Sequence, residues 1–241
     1  KEVTTDDIFP GGMMTMLIIE PWTVDLDAGT GTGGYPGGVT PPPTLPTLAL
    51  LDNFNRTNAN TLGANWQQYT FNYGFLGGVQ AGIRVNGNQA FCTNSGIAFL
   101  NCALGANAYR TPALGVSQAA ALTFSTVSNN TSLLLKATGT LSALGVYPNV
   151  IRVRYNGGQV FVETTANGAT FTSAGTLPGT FAVNDILTAM ADATGTVYVW
   201  KTSGLVSTLL GSAPTSFTGS GQIGLYLPPG ARVDNFAGGT P

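Results

Sequence analysis

The chain has 241 residues, of which 8% are charged: 9 Lys plus Arg, 11 Asp plus Glu and no His, for a net charge of −2. That balance gives no electrostatic footprint for nucleic acid or an anionic membrane. Without His, a Ser-His-Asp triad and a His-ligated metal are both excluded. An ordinary globular protein carries about 25% charged residues, so the polar surface here must be Thr, Ser, Asn, Gln and Gly. Such a surface fits a secreted or cell-surface β-domain, or a subunit largely covered in an assembly. No apolar run reaches the length of a membrane span. The sequence begins at Lys1 rather than Met, so a preceding segment is expected.

Residues 1–27 read as an extended arm. The polar start is followed by a continuous apolar run, Met13, Met14, Thr15, Met16, Leu17, Ile18 and Ile19. After Glu20-Pro21 the chain alternates, with Trp22, Val24 and Leu26 on one side, as a half-buried strand does. Residues 28–46 form a Gly/Thr/Pro linker, flexible at its Gly end and stiff at its Pro end. An apolar segment on such a tether must be covered. It can fold back as an extra strand or dock on a neighbouring subunit, and the second is the favoured expectation.

Residues 47–241 read as strands and turns. The expected strands are 49–56, 66–71, 81–85, 90–93, 119–126, 131–137, 150–155 and 160–165, then 186–192, 196–201, 205–210, 222–227 and 231–236. Between them lie turn signals such as Asn86-Gly87, Asn156-Gly157-Gly158 and Ser203-Gly204. Ile151-Arg152-Val153-Arg154-Tyr155 alternates cleanly, which places both Arg on the solvent face. Cys92 and Cys102 are too few for a zinc site. A hairpin turning at Asn94-Ser95-Gly96 would put Cys92 near Ile97, so two buried thiols are favoured over a disulfide.

Two Asp-Asn-Phe segments bracket this region: Leu51-Asp52-Asn53-Phe54-Asn55-Arg56, followed by Gly63-Ala64-Asn65-Trp66, and Arg232-Val233-Asp234-Asn235-Phe236 at the far end. First and last strands lying side by side are the mark of a β-sandwich. The pattern resembles the laminin-G-like, concanavalin-type jelly rolls of bacterial and phage surface proteins. The resemblance spans roughly Leu48 to Gly239 and includes Asn184-Asp185-Ile186-Leu187, Val197-Tyr198-Val199-Trp200 and Gly221-Gln222-Ile223-Gly224-Leu225. It implies an all-β, antiparallel jelly-roll sandwich with Trp66 in its core. It leaves function open, because such folds carry lectins, glycosidases and structural modules.

The β-glucanase branch of that superfamily uses a Glu-x-Asp-x-x-Glu strand, and retaining glycosidases need two carboxyls about 5 Å apart. Here the three Glu are Glu2, Glu20 and Glu163, and no acid stands near Glu163 in sequence. Asp185 and Asp192 read as a turn residue and a strand-end residue. No catalytic residues are assigned. Asp52 and Arg56 share a face with Phe54, as do Arg232 and Asp234 with Phe236. If the two strands pair, these groups can form an ion-pair cluster, or Asp52 or Asp234 can join backbone carbonyls in a structural calcium site. No other cofactor is implied. Sugar rings need aromatic faces beside amides and hydroxyls, and Tyr69, Tyr73 and Tyr147 are the candidate glycan contacts. The sequons at Asn55, Asn129 and Asn130 are expected by chance in a chain rich in Asn and Thr.

The leading expectation is a non-enzymatic structural or decorating subunit of an extracellular particle, such as a phage virion. Its arm, through Met13, Met14, Met16, Leu17, Ile18, Ile19 and Trp22, would bind copies of itself or other subunits. The alternative is a secreted carbohydrate-binding, lectin-like module that recognises cell-surface glycans. Both place the chain outside the cell or on a virion surface, with no nucleic-acid partner and no membrane span.

Overall fold

The structure is a computed structural model that describes residues 43–73, 78–92, 102, 104–142 and 144–241, without the side chains of 71–73 and 78–80. The expected arm and most of the linker lie outside these residues, and so do the arm contacts at Met13, Met14, Met16, Leu17, Ile18, Ile19 and Trp22.

Among the described residues every named element is a strand. An eight-stranded sheet has the spatial order β15 (Val206–Pro214), β14 (Thr196–Ser203), β13 (Ile186–Ala191), β8 (Gln118–Phe124), β17 (Arg232–Gly239), β6 (Ala90–Cys92) and β5 (Ile83–Val85), and β1 (Ala49–Asp52) also pairs with β17. A seven-stranded sheet has the order β12 (Thr172–Pro178), β11 (Gln159–Thr165), β10 (Asn149–Asn156), β9 (Ser132–Thr138), β16 (Gln222–Leu227), β7 (Ala106–Arg110) and β2 (Trp66–Gln68). A separate hairpin joins β3 (Thr70–Tyr73) to β4 (Gly78–Ala81). The described pairings are antiparallel, so the all-β jelly-roll sandwich expected from the sequence is present.

Alternation explains the core. Ile151, Val153 and Tyr155 of β10, Leu133 and Leu135 of β9, and Ile223 and Leu225 of β16 all point between the sheets. Leu122, Leu187, Val197 and Val199 meet them from the eight-stranded sheet. The intervening residues Leu134, Val150 and Tyr109 form a second cluster on the outer face of the seven-stranded sheet. Gly224 lies on that face because Tyr109 crosses it. A Cβ there would come within 2.3 Å of the Ala108 carbonyl oxygen and 3.1 Å of the Tyr109 ring.

β1 lies beside β17, with Ala49 opposite Gly238 and Asp52 opposite Phe236. β1 is shorter than the sequence suggests, whereas β17 runs on to Gly239. β1 stops at Asp52, and Phe54 takes a left-handed backbone (φ 52°). In β17 the left-handed residue is Asn235 (φ 48°), beside a bulge against β8. The bulge moves the chain out of simple alternation, so Val233 and Phe236 are both buried while Asp234 is half-buried. Three strands were not anticipated: β4, β7 and β12. β7 reads ANAYR, and β12 reads TSAGTLP, an edge strand with almost no apolar side chains to betray it.

The cysteines require a correction. Cys92 and Cys102 form a disulfide, with Cα atoms 5.4 Å apart, and both are almost fully buried. The turn expected at Asn94-Ser95-Gly96 lies outside the described residues. β6 pairs with β5, placing Cys92 opposite Ile83, and with β17 through Phe91 and Ala90. Cys102 thus bonds Cys92 without being its partner in either ladder.

Candidate functional site

The two bracketing segments meet around Trp66. Its ring lies 6.1 Å from Phe54 and 4.9 Å from Phe236, centre to centre, and all three are buried. Trp66 Nε1 donates to Asp52 Oδ2 at 2.8 Å, and Arg56 grips the same carboxylate through two nitrogens, at 2.6 and 3.1 Å. The Phe54 amide donates to Asp52 Oδ1 at 2.8 Å, which closes the turn that ends β1. Burial pushes the Asp52 carboxyl up, but the bonds from Arg56, Trp66 and Phe54 outweigh it and hold the group below its usual range.

Asp234 has a different environment. Burial and the nearby Asp52 charge raise it against one bond from the Asn235 amide. The expected four-member ion-pair cluster is therefore only half formed. Asp52 and Arg56 pair, while Arg232 donates to Asn86 and its guanidinium lies 4.0 Å from the Phe91 ring centre. Both Asp52 oxygens already accept bonds from protein donors, and no group of three or more His, Cys, Asp or Glu stands together among the described residues.

The outer face of the seven-stranded sheet has the richest chemistry. Arg152 and Glu163 are opposite each other on β10 and β11, and so are Arg154 and Phe161. Glu163 lies between both arginines, 2.8 Å from Arg152 Nε and 2.6 Å from Arg154 Nη2, with a further 3.0 Å bond from Arg154 Nε. The Arg152 guanidinium is 3.5 Å from the Phe171 ring centre, and that of Arg154 is 4.6 Å from Phe161. Both arginines point away from the core, as alternation requires, but their side chains are only 20% and 16% exposed rather than free in solvent. Burial pushes Glu163 up, but Arg154 and Arg152 more than offset it, so its carboxyl sits below the usual range. A general acid needs the opposite displacement.

Beside this cluster stand half-buried Tyr226, whose hydroxyl donates to the Leu104 carbonyl at 2.9 Å, and half-buried Asn107. Tyr147 sits edge-on to Tyr109 at 4.7 Å and donates to Gln67 Oε1 at 2.9 Å. Burial pushes the Tyr109 hydroxyl up to about 12.

Of the sequence-selected aromatics, Tyr147 is only 8% exposed, so its ring packs rather than presenting a face. Tyr69 is half-buried, and a Cβ on Gly145 would come within 2.7 Å of its own Cβ. Tyr73 ends β3, and its side chain lies outside the described ones. Tyr226, a further aromatic option in the sequence, is half-buried on this face, whereas Phe161, Phe171 and the Arg–Glu–Arg cluster were missed. The Asn156-Gly157-Gly158 turn signal joins β10 to β11 as a hairpin, and its register places Arg152 opposite Glu163, so this pairing was legible from the turn although the sequence reading did not draw it.

No protein-family model and no curated protein matches the sequence. Solved structures do match in fold. An endo-acting O-glycanase of the human gut microbiota aligns at TM-score 0.51 and 9% identity, covering 80% of this chain and 100% of that one. A β-1,3-1,4-glucanase (lichenase) derived from a mouse hindgut metagenome aligns at TM-score 0.49 and 11% identity, covering 78% and 96%. The carbohydrate-binding module CBM66 from Bacillus subtilis aligns at TM-score 0.46 and 12% identity, covering 73% and 95%. The chain thus has the concanavalin-like jelly-roll fold. At these identities the likeness concerns the fold alone.

Proposed function

We propose that the chain is a non-enzymatic carbohydrate-binding module that works outside the cell or on a surface. The observation that carries this reading is the outer face of the seven-stranded sheet. There, Phe161 and Tyr226 flank guanidinium groups and a carboxylate held rigid by each other. Aromatic faces and fixed planar donors and acceptors suit sugar rings and vicinal hydroxyls. Glu163 is the one acid on that face among the described residues, and its two arginines keep it ionised, which argues for binding rather than proton transfer. The disulfide supports an oxidising compartment.

Affinity electrophoresis through gels containing soluble plant and bacterial polysaccharides tests this. Wild-type protein is retarded by at least one polysaccharide without releasing reducing ends, and the Phe161→Ala/Tyr226→Ala double variant is not. Release of reducing ends that disappears in Glu163→Gln would refute the non-enzymatic reading. Anchoring through the arm is a separate proposal. Without Lys1 to Thr44 the sandwich stays folded and soluble but no longer joins an assembly. Unfolding of the truncated protein would instead make the arm part of its own domain.

A further inference from the structure

At one edge of the sandwich the two sheets touch at one end and part at the other. Where they touch, a Cβ on Gly175 would come within 2.7 Å of Ala213 Cβ, and one on Gly211 within 2.8 Å of Leu177. Toward the β14–β15 turn they separate around a cleft of about 520 Å³. That volume lies within the roughly 300–1,000 Å³ usual for small-ligand sites. The lining changes character along β14. Val197 and Val199 belong to the core, whereas Lys201 and Ser203 line the cleft, opposite Thr208 and Val206 of β15. The facing wall is Gly158, Pro178 and Gly179. A side chain at Gly179 would strike Leu210 at 2.8 Å, so glycine there keeps the space open.

The charge in the cleft is already answered. Lys201 Nζ is 2.9 Å from Asp185 Oδ2 and donates to the Thr180 carbonyl at 2.7 Å. Two of its three N–H bonds are thereby directed to the wall. The cleft therefore offers an ammonium without net charge, the Thr208 hydroxyl, the Ser203 hydroxyl as an acceptor since it donates to Asp185, and the apolar surfaces of Val206, Leu210 and Pro178. An anion would find its counter-charge taken by Asp185, whereas a ring with hydroxyls on its edge and C–H groups on its face matches each part of the lining. Leu205 and Val206, exposed at the turn beside the mouth, leave room for a chain to continue outward.

We propose that this edge cleft is a second glycan site, separate from the sheet face, that takes one or two neutral sugar rings. The inference rests on the carbohydrate-binding reading above.

The test uses the full chain, ¹⁵N-labelled, titrated with cellobiose, xylobiose, lactose, maltose and mannobiose, and with glucuronate as the charged control. At least one neutral disaccharide is expected to shift the amide signals of Gly158, Gly179, Ser203 and Thr208. Thr208→Trp fills the cleft from an exposed position and should weaken that binding at least tenfold, while Phe161→Ala leaves it within twofold. Ser203→Ala, which adds no bulk, should weaken it severalfold and guards against a folding defect in the first variant. Disaccharide binding lost in Phe161→Ala but kept in Thr208→Trp overturns the cleft site and leaves the module reading standing. Binding of longer polysaccharides with no cleft shifts from any disaccharide does the same. Glucuronate binding more tightly than every neutral sugar overturns the neutral assignment. Absence of binding to any saccharide or polysaccharide overturns both.

Discussion

The same three letters, Asp-Asn-Phe, occur at residues 52–54 and 234–236 and meet across one ladder, yet the chain uses them differently. In the first segment the left-handed residue is Phe54, and in the second it is Asn235. Asp52 is surrounded by donors and held ionised, whereas Asp234 has no cation among its described partners and is raised. The phenylalanines are the common element, since both pack on Trp66. A shared motif thus marks a shared core contact, while the titration of its aspartate and the place of its left-handed residue follow from their neighbours.

The largest expected effect tests the shared part. Phe54→Ala and Phe236→Ala should each lower stability by about 3–5 kcal/mol in urea melts. A loss below about 1 kcal/mol at both would mean that the Trp66 cluster is not the core. Next comes the staple beside the second segment, since Cys92 lies on β6, which pairs with β17. Cys92→Ala/Cys102→Ala should cost about 3 kcal/mol, the loop-closure figure for a loop of this size. A dithiothreitol-insensitive melting temperature in the wild type would contradict it.

The sharpest contrast is between the acids. Asp52→Asn removes the acceptor of a two-pronged Arg56 bond and should cost about 1.5–3 kcal/mol. Asp234→Asn should have the opposite sign, a gain within about 0.5 kcal/mol at neutral pH. The sign follows from linkage. A carboxyl raised in the fold penalises the native state once pH passes its unfolded value, so the gain should vanish below about pH 4. Equal losses for both substitutions would erase the difference between the segments.

A broader pH effect has the reverse direction. Asp52, Glu163 and Asp185 are all lowered in the fold, so their contribution is present above their unfolded values and is lost as pH falls through the folded ones. Thermal melts should decline steadily below about pH 4.5, and Glu163→Gln should flatten part of that decline. The smallest expected effect is that of calcium. Millimolar CaCl₂ should leave the melting temperature unchanged, because the Asp52 oxygens are already occupied, and a rise of several degrees would restore the metal reading.

How much was legible follows from these residues. Trp66, Phe54 and Phe236 as core, β10 with its arginines outward, and the pairing of first and last strands could all be read from spacing and motif. β12 could not, because an edge strand that buries only Leu177 and part of Ala174 among Thr, Ser and Gly imposes no alternating pattern. The burial of Lys136 was equally silent. Its Nζ donates to the carbonyls of Asp192 and Phe217, at 2.7 and 2.9 Å, groups 56 and 81 residues away. Glu163 looked isolated because its partners are 9 and 11 residues back, on the strand it pairs with.

By itself the sequence determined the fold class, the period-two core, the lack of histidine chemistry and the scarcity of charge, because these depend on composition and on alternation within single strands. Tertiary structure alone decided that Cys92 and Cys102 bond, that the carboxyl of Asp52 is lowered while that of Asp234 is raised, and that the sheets part around Lys201. Each of these depends on how strands and loops meet where no turn signal records the pairing. Moving a register by one residue reverses every side chain, and there no local pattern records which partner a strand will meet.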